Sequence, residues 1–482
     1  MLNALFGKHP RGLPTLFFSE MWERFSFYGM RALLTLYMVQ HLGWAEKEVA
    51  YPIYGAYGAL VYAFPVLGGY LANRFLGYRH AILLGGSLMA CGHFVLAIEH
   101  DYAFYAALAL LCIGNGFFKP NISSTVGRLY KDGDVMRDRG FNIFYMGINI
   151  GALAAPLVCG TLGEGVDWHL GFAIAGFGMV VGLIQFHRGR DRLEGQAEPD
   201  RPLGQNTLVT IWVLSFLAVP AIAWLFVEPW IVTWIASGIS VVVLVTIIYM
   251  AATASEVVQR HRYVALMILM FFHMLFWAGF EQAGSSLNIL AKFNLDRSVF
   301  GWFTPEASVF QFVNPFFIVL LVPVFNRLWG AVEGTRWDPS IPMKFALGLI
   351  QLGLGFGILV FSFSTAQSGI ISLWWLVLAY LLHTTGELCI SPVGLSAVTK
   401  LVPRALTGFV MGAWFLTISN AHLIAAVLAG ETATSGETEP TLVERLDGFD
   451  ATYTQITQFG IGAGVLLIIL TPMIKKLLHG VK

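Results

Sequence analysis

The sequence predicts an all-α polytopic membrane protein: two six-helix bundles plus two extra helices, about 14 transmembrane helices in all. Three observations predict it. The first is composition. Only 12% of the 482 residues are charged and 56% are hydrophobic, whereas a soluble domain carries roughly 25% charged residues. Too few polar side chains remain to cover a water-facing surface of this size. The second is the length of the apolar runs. Segments such as 231–250 and 345–363 carry almost no charge and are long enough to cross about 30 Å of hydrocarbon at roughly 1.5 Å per residue. The third is the placement of cations. Of the 29 Lys and Arg residues, 22 fall in the end segments and in alternate loops counted from the N-terminus. Only Lys47, Lys292, Arg297 and Arg445 fall in the opposite loops, and Arg24, Arg31 and Lys119 fall within spans. This asymmetry predicts that both termini are cytoplasmic.

The apolar segments lie near 14–41, 49–71, 80–98, 102–120, 139–160, 168–187, 207–227, 230–253, 263–283, 301–325, 343–363, 370–392, 405–430 and 455–478. An echo divides them. Asn73-Arg74-Phe75-Leu76-Gly77 follows the second segment, and Asn326-Arg327-Leu328-Trp329-Gly330 follows the matching segment of the second half. Both pentapeptides are expected in short cytoplasmic turns. A parallel repeat follows: an N-terminal bundle over 1–187, a cytoplasmic linker over 188–206 rich in Arg, Asp, Gly and Pro, two inserted peripheral helices over 207–253, and a C-terminal bundle over 254–482.

Several function classes are disfavoured. Net charge is zero, which says nothing about partners; no nucleic acid is expected among them. Cys91, Cys112, Cys159 and Cys389 all fall in apolar stretches and read as small packing residues. No spacing resembles a metal motif, and no nucleophile–base pair suggests an enzyme. The N-terminus lacks the order of a basic region, a short apolar run and a small-residue cleavage site, so no cleaved signal peptide is expected. No cofactor and no obligate protein partner are implied.

The informative residues are ionisable groups inside apolar spans. Each costs at least ~2.5–3.5 kcal/mol at mid-bilayer and needs a partner or a wet cavity. The first segment carries Glu20, Glu23 and Arg24. At about 100° per residue, Glu20 and Arg24 lie about 40° apart on the helix wheel. Glu23, Phe27, Tyr28 and Arg31 share the same broad face. Two carboxylates facing one arginine leave an excess of acid, which is expected to take up protons. Lys119 follows in Gly114-Asn115-Gly116-Phe117-Phe118-Lys119-Pro120, where Pro120 interrupts the helical ladder and the glycines admit close backbone approach. The second half supplies Glu281 and Glu387, with no cation in their own segments. Glu306 lies nearer its segment start and could be wet. A cationic first half (Arg24, Lys119) and an anionic second half (Glu387, Glu281) suit a zwitterion with separated ends. Tyr54, Tyr57, Tyr62, Asn149, Gln311, Asn314, Trp414 and Asn420 are further polar or aromatic residues in spans. Their type alone does not separate pocket from packing.

Four stretches resemble the signatures of the proton-dependent oligopeptide transporter family of the major facilitator superfamily, in its bacterial 14-helix type. They are Glu20-Met21-Trp22-Glu23-Arg24-Phe25-Ser26-Phe27-Tyr28-Gly29, Phe144-Tyr145-Met146-Gly147-Ile148-Asn149-Ile150-Gly151, Gly386-Glu387 with Ser391-Pro392-Val393-Gly394-Leu395-Ser396, and Met411-Gly412-Ala413-Trp414-Phe415. They span the first to the eleventh core helix, so the resemblance covers nearly the whole chain. It implies that Arg24 and Lys119 hold a peptide carboxylate and Glu387 its amino terminus. It implies that Tyr28, Tyr62, Asn149, Trp277, Asn314, Ser391 and Trp414 line the pocket, and that Glu20, Glu23, Arg24 and Glu281 serve proton coupling. The implied activity is proton-driven import of di- and tripeptides by alternating access across the plasma (inner) membrane.

The chain departs from the family pattern in three places. Phe27 stands where the first tyrosine of a pair is usual. Asn73 stands where an aspartate is usual. The segment 51–71 lacks the histidine that animal members use in coupling, so coupling here is expected to rest on carboxylates. Two alternatives stay open: another substrate on the same scaffold, such as nitrate or an amino acid, and a peptide sensor that does not transport.

Overall fold

A computed structural model describes residues 6–131, 134, 136–199, 204–403, 406–433 and 440–481. Among these, twelve helical runs are long and apolar enough to cross a membrane. The first run, Glu46–Leu96, holds two helices, α2 (Tyr51–Leu71) and α3 (Gly77–Leu96), joined by a wide turn at Ala72–Leu76. Helix α1 (Leu13–Leu36) is long enough but carries Glu20, Glu23, Arg24 and Arg31 and so falls outside that apolar set. With these two helices added, the count meets the fourteen read from the sequence. Arg201, Arg404 and Lys482 of the charge asymmetry lie outside the described residues.

The chain forms two compact units. The first takes the chain up to His41 with Leu60–Pro229 and Ser308–Pro315; the second takes Leu42–Ala59, Trp230–Ala307 and the chain from Phe316. In the first unit, α1 packs on α5 (Met136–Ala155) and α6 (Trp168–Gly189), and α3 packs on α4 (Asp101–Arg128) and α6. Small residues set the spacing. A methyl group on Gly151 of α5 would collide with the carbonyl oxygen of Met21 and meet the Arg24 Cβ at 3.0 Å. The α1–α5 contact therefore closes at the level of the charged cluster. One on Gly116 of α4 would meet Phe64 Cβ at 2.8 Å, the close backbone approach expected of that stretch. Helix α4 runs on through Pro120 instead of breaking there. Next to it, Asn121 Nδ2 donates one turn back to the Phe117 carbonyl at 2.6 Å.

The inserted segments form α7 (Gln205–Leu217), α8 (Val219–Val227) and α9 (Pro229–Thr253). Pro220 stands at the start of α8, where a missing N–H costs least. α8 packs on α4 within the first unit. In the second unit, α10 (Val257–Phe280) packs on α15 (Thr407–Thr432), and α13 (Ile341–Phe363) packs on α14 (Leu373–Leu401) and α16 (Leu442–Leu478). A two-residue parallel ladder pairs Leu295 with Ile371 and Asp296 with Ser372.

Several boundaries differ from the hydropathy reading. After α10 the chain continues through a 3-10 turn at Glu281–Gly284 into α11 (Ser286–Phe293). Residues 301–312 are not α-helical; α12 starts at Val313 and ends at Val332. The last helix begins at Leu442, well before 455, because Thr441 and Glu444 form a capping box ahead of polar turns that hydropathy passes over. The two echoing pentapeptides also part company. Asn73–Gly77 makes a turn, with Gly77 at φ +69°, but Asn326–Gly330 lies inside α12. Cys112, Cys159 and Cys389 are buried, as packing residues should be, while Cys91 is exposed.

Candidate functional site

In the first unit the structure gathers the charges of α1 around one guanidinium. Glu20, Glu23 and Arg24 are 1%, 0% and 3% exposed. Arg24 Nε lies 3.3 Å from Glu20 Oε1, one helical turn back. Its Nε and Nη2 also donate to the two oxygens of Glu23. Neighbours along a helix do not ordinarily face each other. Here the long arginine folds back into a two-bond fork, the strongest geometry open to this pair. Glu20 Oε2 is buried and has no hydrogen-bond partner among the described residues.

Asn115 completes the cluster. It is 1% exposed, accepts a long hydrogen bond from Arg24 Nη2 at 3.4 Å, and donates to the Val61 carbonyl at 2.9 Å. It thereby ties α1 to α4 and to the neighbouring turn of α2. The Phe27 ring lies 5.1 Å from the Arg24 guanidinium, a cation–π distance. The face that loses a hydroxyl thus still meets the charge. Tyr28 is half-buried, with Arg31 5.9 Å from its ring. The Lys119 ammonium stands 4.9 Å over the ring of Tyr62. Asn149 is buried and donates to its own helix at the Tyr145 carbonyl, 2.9 Å away. Asn314 is half-buried within Ser308–Pro315 of the same unit, where Gln311 Nε2 reaches the Ala32 carbonyl at 3.5 Å.

The second unit holds the remaining residues. Glu281, 1% exposed, opens the 3-10 turn after α10, and its Oε1 lies 3.7 Å from Nε2 of His422 on α15. That is ion-pair distance but beyond hydrogen-bond reach. The His422 ring fills the space over Gly58, where an added methyl would collide with Nδ1. Trp277 Nε1 donates to His273 Nε2 at 2.8 Å, His273 Nδ1 meets Thr417 Oγ1 at 2.7 Å, and the His273 and Trp414 rings are 4.1 Å apart. Trp277 and Trp414 are therefore linked through a histidine. Trp414 is buried at 1% exposure. Glu387 is buried, and Ser391 lies one turn further along α14, just before Pro392. Asn420 donates to Ser240 Oγ of α9 at 2.7 Å. Glu306 lies 3.4 Å from Arg297.

Reasoning from the sequence missed Asn115, His273 and His422. Asn115 was visible as an amide between two glycines. The histidines were visible as titratable groups in apolar segments, but a charge count that takes histidine as neutral passes over them.

The family model described as PTR2, POT family, matches residues 79–443. A di-/tripeptide transporter of Lactococcus lactis subsp. lactis is 39% identical over 448 residues, covering 88% of this chain and 90% of that protein. The uncharacterized transporter YclF of Bacillus subtilis is 39% identical over 493 residues, covering 99% and 97%. The crystal structure of a peptide transporter POT in complex with sulfate is 35% identical with a TM-score of 0.85, covering 98% of this chain and 97% of that one. A match of this length, over an all-helical membrane fold, establishes that the chain belongs to the POT family.

Proposed function

We propose that this chain is a proton-coupled symporter that imports di- and tripeptides by alternating access. It would sit in the plasma (inner) membrane with both termini cytoplasmic, and its functional halves would be residues 1–187 and 254–482. The observation that carries the proton-coupled reading is the buried α1 cluster. One permanent cation, Arg24, serves two carboxylates, and Glu20 Oε2 has no hydrogen-bond partner among the described residues. That oxygen is a place for a proton. The relatives' names, di-/tripeptide transporter among them, support peptide as the substrate.

Arg24 and Lys119 hold the peptide's carboxylate and Glu387 its ammonium. Tyr28, Tyr62, Asn149, Trp277, Asn314, Ser391 and Trp414 contribute to the pocket. Glu20, Glu23, Arg24 and Glu281 carry the coupling, with His422 added as the group beside Glu281. Binding both ends of one zwitterion supplies a free-energy difference between conformations, which transport requires.

The test is uptake of labelled dialanine into proteoliposomes with and without an inward proton gradient. Accumulation above equilibrium is expected only with the gradient. Acetylating the peptide's amine should weaken binding about as much as Glu387→Gln does for the free peptide, and the two losses should not add. If acetylated dipeptides compete as well as free ones, the site is not built around a zwitterion.

A further inference from the structure

We infer that the first unit carries a site for a divalent transition-metal ion of the zinc type, built from His41, Glu99 and His169. These residues come from three elements of that unit: the turn Tyr37–His41 that ends α1, the connection between α3 and α4, and the start of α6. One ligand atom from each lies within 4.8 Å of the other two. His41 Nε2 is already 3.4 Å from Glu99 Oε1. Zinc takes imidazole nitrogen and carboxylate oxygen at about 2.0–2.2 Å, so tetrahedral ligands stand about 3.4 Å apart. The Glu99 side chain is 75% exposed and can supply the movement of about 1 Å that closes the set.

The two imidazoles are positioned before any ion arrives. Tyr37, 2% exposed, stacks on His41 at 5.0 Å and meets the edge of His169 at 5.7 Å. The His41 and His169 rings are 5.3 Å apart and nearly perpendicular. Phe172 packs nearly perpendicular against Tyr37 at 5.1 Å. Both ring nitrogens of His169 are buried and have no hydrogen-bond partner among the described residues, so none of those residues competes for them. Two imidazoles and one carboxylate with an open fourth position favour zinc or copper over magnesium or calcium, which prefer oxygen. A bound ion would tie the end of α1 to the α3–α4 connection and to α6. Under the orientation proposed above, this end of the unit faces outside.

The experiment is zinc chloride titration into detergent-purified protein prepared without a polyhistidine tag, with X-ray absorption on the loaded sample. One zinc per chain is expected, with two imidazoles in its shell and a rise in melting temperature. His169→Ala and His41→Ala should abolish the binding and the melting shift, and Glu99→Gln should weaken binding about tenfold. Among the described residues a second close imidazole pair exists, His261 and His479 at 2.8 Å, so His261→Ala is the control and should change nothing. Binding that survives the His41→Ala/His169→Ala pair, or that disappears with His261→Ala, would identify an adventitious ion only. Should the histidine variants fail to fold, Glu99→Gln at its exposed position decides alone, and unchanged affinity there overturns the site.

Discussion

The two buried acidic centres differ in the cation that each carboxylate meets. In the first unit, Glu20 and Glu23 share Arg24, whose guanidinium keeps its charge under all ordinary conditions. In the second unit, Glu281 lies against His422, which can gain or lose its charge. Around Arg24 only the carboxylates can change protonation, so the state of the cluster is set by how many acids the one cation must serve. At Glu281 the partner is an imidazole, a group able to donate or accept a proton, in place of a permanent cation. The arginine cluster therefore suits holding a fixed positive charge for an anionic group. Under the proposed function, the histidine pair would be the part that passes a proton.

The largest expected effect is at Arg24. Arg24→Ala removes the cation from two buried carboxylates and should lower peptide uptake more than about a hundredfold, a loss on the scale of breaking a buried ion pair. Arg24→Lys should recover little of it, because an ammonium cannot form the fork with Glu23 while reaching Glu20. Wild-type uptake by Arg24→Lys in proteoliposomes would break the comparison, since charge alone would then suffice.

Glu281→Gln comes next. Gradient-driven accumulation should disappear while exchange of labelled for unlabelled peptide persists. Normal uphill uptake would remove Glu281 from coupling.

His422→Gln sharpens the contrast. It should reduce uphill uptake about tenfold and spare exchange, and the double variant with Glu281→Gln should be no worse than Glu281→Gln alone. Losses that multiply would show that the two residues act separately.

Smaller effects are expected around the clusters. Asn115→Ala deletes the 3.4 Å bond to Arg24 and leaves the Val61 carbonyl unsatisfied. It should raise the KM for peptide several-fold, and a change in kcat alone would contradict a positioning role. Asn73→Asp places a carboxylate at an exposed position of the turn Ala72–Leu76, where hydrogen bonds to a charged group are worth about 1.5–3 kcal/mol against roughly 0.5–1.5 for neutral ones. It should shift the population towards outward-facing states, and distance measurements by spin labelling would read the shift.

Much of this molecule was legible in the chain because lipid imposes strict rules. Backbone groups in hydrocarbon must bond internally, so length and apolarity alone mark helices. Buried charge is costly, so each ionisable residue in a span marks a place that matters. On those grounds the helix count and the placement of Glu20 one turn from Arg24 could be read without coordinates; the family was read from resemblance of the signature stretches. Helix ends were read less well where they are polar, as at Leu442 and Val332, because hydropathy sees only the apolar part of a helix.

What the sequence by itself determined, then, is which residues must avoid lipid and which helical neighbours lie one turn apart. Both follow from local geometry and solvation. Only the tertiary structure decided which groups from distant segments meet. Glu281 and His422 come from different helices, as do Asn115 and Arg24. His41, Glu99 and His169 are scattered along the first unit with no spacing to betray them, and they converge because three helix ends pack around Tyr37. Spacing predicts a neighbour only within one helix; between helices the partner is chosen by packing, which no single segment contains.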